Sequence, residues 1–381
     1  MDNTRVFAAC MIASLVLIVL LAGALFVRGE KVNSAPGIID SGKTEEEFCK
    51  TIQYNGDKIN LVFFADKEKA ELYSSELLNF GPFDEYENEF NIFYVDSYKV
   101  ECGLYKDIAT FCYSRDLVKK AALCGADYII VIDDKPANIR SSAYHKVASI
   151  NAKHFVPTII AHEVGGHLFM SFAEEYVYNP AFLPLGQKNC LRENYFYGEN
   201  DGHLGCSRGD YFRYEPEGVM RTLAKEAVFG KYNEDLIVER LDETTNRVTG
   251  RVVEEVQELQ NCANENYYLI EFYQDESGIE EVSRSVQYGC IGIEANGFGY
   301  SVYSVLDEEG NVIYDGNFNS DFVYTDAPAE EGEPLGEVFE YEGNFVLQIP
   351  LNPEAEILEI TNSQGTTKIN IANAGARACA V

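Results

Sequence analysis

Three residues in the stretch TIIAHEVGGHLFMSFAEEYVY, Thr158 to Tyr178, carry side chains suited to metal-assisted hydrolysis. His162 and His167 offer imidazole nitrogens, and Glu163 offers a carboxylate beside the first of them. The usual zinc-peptidase helix reads His-Glu-x-x-His. Histidines four apart on an α-helix lie about 40° apart around the axis, so both can reach one ion. The Glu then serves as general base for the attacking water. Here one more residue intervenes, giving His162-Glu163-Val164-Gly165-Gly166-His167. Residues five apart on a regular helix lie about 140° apart, which points the two rings to different faces. A single π-bulge closes an i→i+5 hydrogen bond and absorbs one extra residue. Gly165-Gly166 lies between the histidines, where glycine relaxes the backbone constraint. Three outcomes are open. A bulged helix keeps the site. A shifted register puts Glu163 at the first ligand position and Val164 at the base position, which removes catalysis. Or the site has diverged into a non-catalytic fold.

The elements that must position this helix are written upstream of it. INLVFFAD (Ile59 to Asp66) is a bounded run of β-favouring residues and reads as a buried strand. KEKAELYSSELLNF, directly after it, has helical character. EFNIFYVDSY (Glu89 to Tyr98) and ADYIIVIDD (Ala126 to Asp134) read as further strands. Between them SRDLVKKAALCG predicts a helix that starts on the Ser114 cap and stops at Gly125. Strands alternating with helices indicate a layered α/β domain. LAKEAVFGKYNEDLIVERLDE (Leu223 to Glu243) predicts a helix in two pieces, broken near Gly230. After about residue 256 the texture changes to short alternating strands separated by turns, such as GYSVYSVLDEEGNVIYDG and GNFVLQIPL. That pattern predicts an all-β sandwich. The expected organisation is a membrane anchor or signal over 1–28, a stalk over 29–55, a catalytic domain over 56–250 and a β-sandwich domain over 256–381.

Gly166-His167, followed by Ala173-Glu174-Glu175-Tyr176, resembles the clostridial IgA metallopeptidase family. That family's helix reads His-Glu-x-Gly-His and then, at the same distance, Ala-Asp-Glu-Tyr. DYIIVIDD before VPTIIAHE looks like the family's strand leading into its zinc helix. YFRYEPEGVMRTL (Tyr211 to Leu223) and FGKYNEDLIVERL resemble the segments that follow. The resemblance covers about residues 56 to 245. It implies an α/β metzincin-like zinc peptidase domain ahead of the sandwich, acting on peptide bonds in a protein or peptide substrate. It further implies that His162 and His167 are zinc ligands, that Glu163 is the general base, and that Met220 sits in a turn beneath the metal. Glu174 stands where the family has Asp and is the candidate third ligand, with Glu175 and His203 as competitors. On a straight helix Glu174 would lie about 10 Å along the axis from His167, so a turn must intervene or Glu174 acts from outside the ligand set. Tyr176 is a candidate donor to a developing oxyanion, although aromatic packing is the favoured reading of this residue. His203 lies in the loop ENDGHLGC. The family name carries no immunoglobulin substrate over to this chain.

The remaining composition narrows the partners. With 62 acidic against 30 basic residues the chain carries a formal charge of −32. Nucleic acid and anionic membrane surfaces both require basic surface, so neither is an expected partner. Val6 to Val27 is an uncharged, mostly apolar run of 22 residues bounded by Arg5 and Arg28. A bilayer core needs about 20, so the run predicts a transmembrane anchor with the bulk of the chain outside the cytoplasm. Ala22-Gly23-Ala24 would supply a cleavage site if the segment is instead a secretory signal. Ten cysteines without a Cys-x-x-Cys motif fit an oxidising compartment. Plausible pairs by spacing are Cys112–Cys124, Cys190–Cys206, Cys262–Cys290 and Cys49–Cys102. Arg208-Gly209-Asp210 is an adhesion-like tripeptide of the kind that arises by chance. The alternative function is a catalytically inactive surface adhesion or scaffold protein that keeps a protease fold, and metal content discriminates the two.

Overall fold

The computed structural model describes residues 48–154, 156–176, 187–223, 227–250, 266–289, 291, 299–326, 337–362 and 365–372. All of them fall within one unit, Glu45–Val381. The first strands are β1 (Lys50–Gln53), β2 (Ile59–Phe64) and β3 (Phe90–Val95). A hairpin of β4 (Gly103–Tyr105) and β5 (Ala109–Phe111) precedes β6 (Tyr128–Asp133), β7 (Ser141–Tyr144) and β8 (Val147–Asn151). Then come β9 (His203–Cys206), β10 (Arg208–Arg213), β11 (Asn266–Asp275), β12 (Gly278–Tyr288), β13 (Ser301–Leu306) and β14 (Val312–Phe318). The last five are β15 (Phe322–Asp326), β16 (Glu337–Glu340), β17 (Gly343–Pro350), β18 (Ile357–Asn362) and β19 (Gly365–Asn370). The helices are α1 (Lys67–Leu78), α2 (Arg115–Ala121), α3 (Thr158–Ile160, continued as a π-helix over Ala161–Phe169) and α4 (Lys231–Gly250).

The main sheet has eight strands in the order β1-β3-β2-β6-β8-β7-β15-β16. Its centre, β3-β2-β6-β8, is parallel, and the flanking pairs are antiparallel. Parallel strands are covered on both faces, which is why INLVFF, FNIFYV and YIIVID are near-continuous apolar runs. Alternate residues serve the two faces. Leu61, Phe63, Ile92, Tyr94, Ile130 and Ile132 join one core with α1 and α3. Val62, Phe64, Phe93, Val95, Ile129 and Val131 join a second core with α2. The helix ends follow local chemistry. The Asp66 carboxylate accepts from the Lys69 N–H, and the Ser114 hydroxyl accepts from the Leu117 N–H. Gly125, at φ +60°, closes the turn after α2. Helix α4 matches the second of the two expected pieces. Residues 227–230 are not helical, and 224–226 lie outside the described residues.

The C-terminal strands form a three-stranded sheet, β12-β11-β17, and a four-stranded sheet, β14-β13-β18-β19. Their facing side chains, among them Phe272, Phe345, Leu347, Tyr303, Val305 and Leu358, make one core in the manner of a β-sandwich. The molecule is thus mixed α/β and mostly sheet. Among the described residues, two strands of the 256–381 segment do not belong to that sandwich. β15 pairs with β7, and β16 extends the same edge, so this segment completes the main sheet. The expected boundary between 250 and 256 lies outside the described residues. So does Val6–Val27, and no described helix is long and apolar enough to cross a membrane.

Among the described residues the disulfides are Cys49–Cys124, Cys102–Cys112 and Cys190–Cys206. Only the last matches an expected pair. The expected Cys112–Cys124 and Cys49–Cys102 pairs are exchanged, because the β4–β5 hairpin closes Cys102 onto Cys112. Cys49, beside β1, then meets the end of α2. Cys262 and Cys290 lie outside the described residues.

Candidate metal centre

Of the three outcomes the widened helix is the one present, although it runs over nine residues and is not a single bulge. Helix α3 widens to π geometry from Ala161 to Phe169, the span that holds both histidines. Residues five apart then share a face. The rings of His162 and His167 stand edge to face with centroids 4.6 Å apart. His162 Nδ1 lies 2.8 Å from the Val219 carbonyl oxygen. His167 Nδ1 lies 2.9 Å from that of Phe172. A carbonyl only accepts, so each Nδ1 carries a proton, and each Nε2 faces the Glu174 carboxylate, where it becomes a lone-pair donor once an ion takes the place of its proton. This is the orientation in which metal-binding histidines are held.

Glu174 reaches the same point by a reversal of the chain. The helix ends at Phe169, and Ser171 takes a left-handed φ of 54°. The Phe172 N–H returns to the Gly166 carbonyl at 3.0 Å. Glu174 Oε1 then lies 3.0 Å from His167 Nε2 and 3.5 Å from His162 Nε2. The ligand atoms of His162, His167 and Glu174 all fall within 4.8 Å of one another. Cys102, Cys112 and Asp133 also come together, but those two sulfurs are bonded to each other. Burial pushes the Glu174 carboxyl up, yet His162 and His167 pull harder in the other direction and bring it down to about 2. Two imidazoles and a carboxylate at this spacing are a group that could hold a divalent metal ion.

The two glycines make room rather than supply flexibility. Neither takes a positive φ. A Cβ on Gly166 would stand 2.2 Å from Met220 Sδ, and one on Gly165 would stand 2.8 Å from Phe83 Cε2. Met220 therefore packs directly on the helix between the histidines. Its neighbour Val219 anchors His162, and its own carbonyl accepts from the Glu175 N–H at 2.8 Å.

The competitors for third ligand are placed elsewhere. The Glu175 carboxylate receives the side-chain amides of Asn189 at 3.2 Å and Asn233 at 2.7 Å, and burial raises it to about 7 against those bonds. His203 is on the exposed start of β9. Glu163 follows His162 in the π-helix and is fully buried, and Tyr176 is buried directly after Glu175.

Four contributors carry no local signal in the sequence. The Tyr324 ring, on β15, stacks on His167 with centroids 4.1 Å apart and planes 21° apart. Its hydroxyl is 3.0 Å from that of Tyr300 and accepts from Gln187 Nε2 at 2.9 Å. Tyr300 in turn donates to the Ser171 carbonyl at 2.9 Å, on the turn that redirects Glu174. Asn189 grips the backbone of Ala173. No protein-family model matches the chain, and no curated protein matches it.

Proposed function

We propose that this chain is a zinc metallopeptidase. His162, His167 and Glu174 hold the ion, and Glu163 is the general base. The observation that carries the reading is the convergence of His162 Nε2, His167 Nε2 and Glu174 Oε1 across a helix widened to fit the extra residue. The resemblance of this stretch to the clostridial IgA metallopeptidases supports the same assignment. Zinc in such a site supplies Lewis-acid polarisation of the scissile carbonyl and acidifies water. The chain's own residues do the rest. The Val219 and Phe172 carbonyls hold both imidazoles by Nδ1, so that each Nε2 is aimed at the ion. Glu163 takes a proton from the attacking water and returns it to the leaving nitrogen as the amide bond breaks. Tyr176 is the proposed donor to the developing oxyanion. The three disulfides support a setting outside the cytoplasm, with Val6–Val27 as anchor or cleaved signal.

The test is zinc content and peptide-library turnover of the full-length chain beside three variants. Stoichiometric zinc is expected in the wild type and is lost in His162→Ala and His167→Ala. Glu163→Gln is expected to keep its zinc and lose turnover. A wild type that takes up no zinc after reconstitution overturns the reading and leaves the scaffold alternative.

A further inference from the structure

Glu174 differs from the two histidines in how it is held. The histidines ride on a helix, but Glu174 lies past its end, on a strand of chain that has already reversed direction. Something other than the helix must fix it. The segment that does so holds Asn189 and Ser207 and is cross-linked by the Cys190–Cys206 disulfide. Asn189 is fully buried, and its amide pairs with the backbone of Ala173 as a neighbouring strand would. The Ala173 N–H donates to Asn189 Oδ1 at 2.8 Å, and Asn189 Nδ2 donates to the Ala173 carbonyl at 2.8 Å. On the far side of the disulfide the Ser207 hydroxyl donates to the Glu174 carbonyl at 2.6 Å. Cys190 Sγ lies 4.0 Å from that same oxygen. Residues on both arms of one cross-linked loop thus grip the backbone on either side of the Glu174 Cα.

We infer that Asn189 is a positioning residue for the third metal ligand, and that the Cys190–Cys206 loop is the clamp that presents it. The inference rests on the metal reading above. Its physical content is preorganisation. A carboxylate held at the meeting point of the two Nε2 atoms does not have to be ordered when the ion binds. Removing the amide leaves the buried Ala173 N–H and carbonyl unpaired, and the backbone must move to satisfy them.

The experiment uses the full-length chain with Co²⁺ as a coloured stand-in for zinc. It follows affinity by chelator competition and coordination by the visible absorption spectrum. Asn189→Ala is expected to weaken Co²⁺ binding about tenfold or more and to shift the spectrum toward that of Glu174→Gln. Asn233→Ala removes the other amide on Glu175 but leaves Ala173 gripped. It is expected to keep the wild-type spectrum even where stability falls, which separates positioning from general loosening. If Asn189→Ala does not fold, Ser207→Ala deletes a single hydroxyl and is expected to weaken binding about threefold with a spectral shift in the same direction. Wild-type affinity and spectrum in the folded variants overturn the inference alone. A wild type that binds no Co²⁺, or a Glu174→Gln variant that binds as the wild type does, overturns the metal reading and the inference with it.

Discussion

His162 and His167 stand with ring centroids 4.6 Å apart although five residues separate them. On a regular α-helix they would diverge by about 140°. The π-helix over Ala161–Phe169 restores the shared face, and buried side chains pack closely on it. Met220 fills the space over Gly166, and Phe83 and Phe229 fill that over Gly165.

This packing sets the first expectation. Gly166→Ala places a methyl carbon 2.2 Å from Met220 Sδ, and Met220 is fully buried. Sδ and Cε are the far end of a flexible side chain, but Met220 must find a new rotamer in a buried site, so overpacking should cost about 1–3 kcal/mol. Met220→Ala alone should cost about 2–5 kcal/mol through the cavity it leaves. Together the two should cost clearly less than the sum, since each relieves the other. Urea unfolding of the four proteins of this cycle measures the coupling, and strict additivity would refute the close contact.

Tyr324 provides the second. Its ring covers His167, and its hydroxyl sits in the Gln187–Tyr300 network. Tyr324→Phe keeps the stack and loses the hydroxyl. It should destabilise by about 1 kcal/mol with near wild-type metal affinity. Tyr324→Ala opens the wall beside His167 and should weaken metal binding by roughly an order of magnitude, because the ring loses the surface that orients it. Equal metal affinity in the two variants would remove the stack from the site.

The halves of this site were unequally legible in the sequence. His162, Glu163 and His167 declare themselves by residue type. The π-helix was derivable as the one local change that lets a five-residue spacing work. Glu174 was reachable once a turn was required after the helix, and Ser171 makes that turn. The role of Gly165-Gly166 was not derivable, because close approach to Phe83 and Met220 depends on chain far away in sequence. Tyr324, Tyr300, Gln187 and Asn189 carry no local signal for the same reason. The fold divides likewise. INLVFF, FNIFYV and YIIVID are recognisable because both faces are covered, whereas FVYTD looks like any alternating strand. Which sheet it joins is decided by the free edge of β7.

Cysteine pairing gives a direct chemical check. Spacing favours Cys112–Cys124, but the β4–β5 hairpin closes Cys102 onto Cys112 and leaves Cys124 to Cys49. Non-reducing proteolysis with mass spectrometry should recover peptides joining Cys49 to Cys124 and Cys102 to Cys112. Replacing both Cys49 and Cys124 by alanine opens a long loop and should lower stability by about 4 kcal/mol. Recovery of a Cys112–Cys124 peptide from native protein would contradict the fold around α2.

His145 sets an acid limit on stability that is independent of the metal centre. It lies in the β7–β8 turn at φ 53°, among the rings of Tyr113, Tyr144 and Phe318, with Lys146 beside it. The residue is part-buried, but both ring nitrogens are sealed from solvent without a hydrogen-bond partner among the described residues. Burial, aided by the Lys146 charge, lowers its pKa to about 3. In the unfolded chain the imidazole titrates near 6.5. The unfolded state therefore takes up a proton first as pH falls. The stabilising contribution is complete above about 6.5, declines at up to about 1.4 kcal/mol per pH unit below that, and is gone near pH 3. Asn tolerates the left-handed backbone and cannot titrate. His145→Asn should be less stable at neutral pH, since a buried amide replaces the ring, but its acid limb should be shallower by up to one proton. Denaturant unfolding from pH 7 down to pH 4 measures both slopes, and parallel acid limbs would show that His145 is already solvated in the native protein.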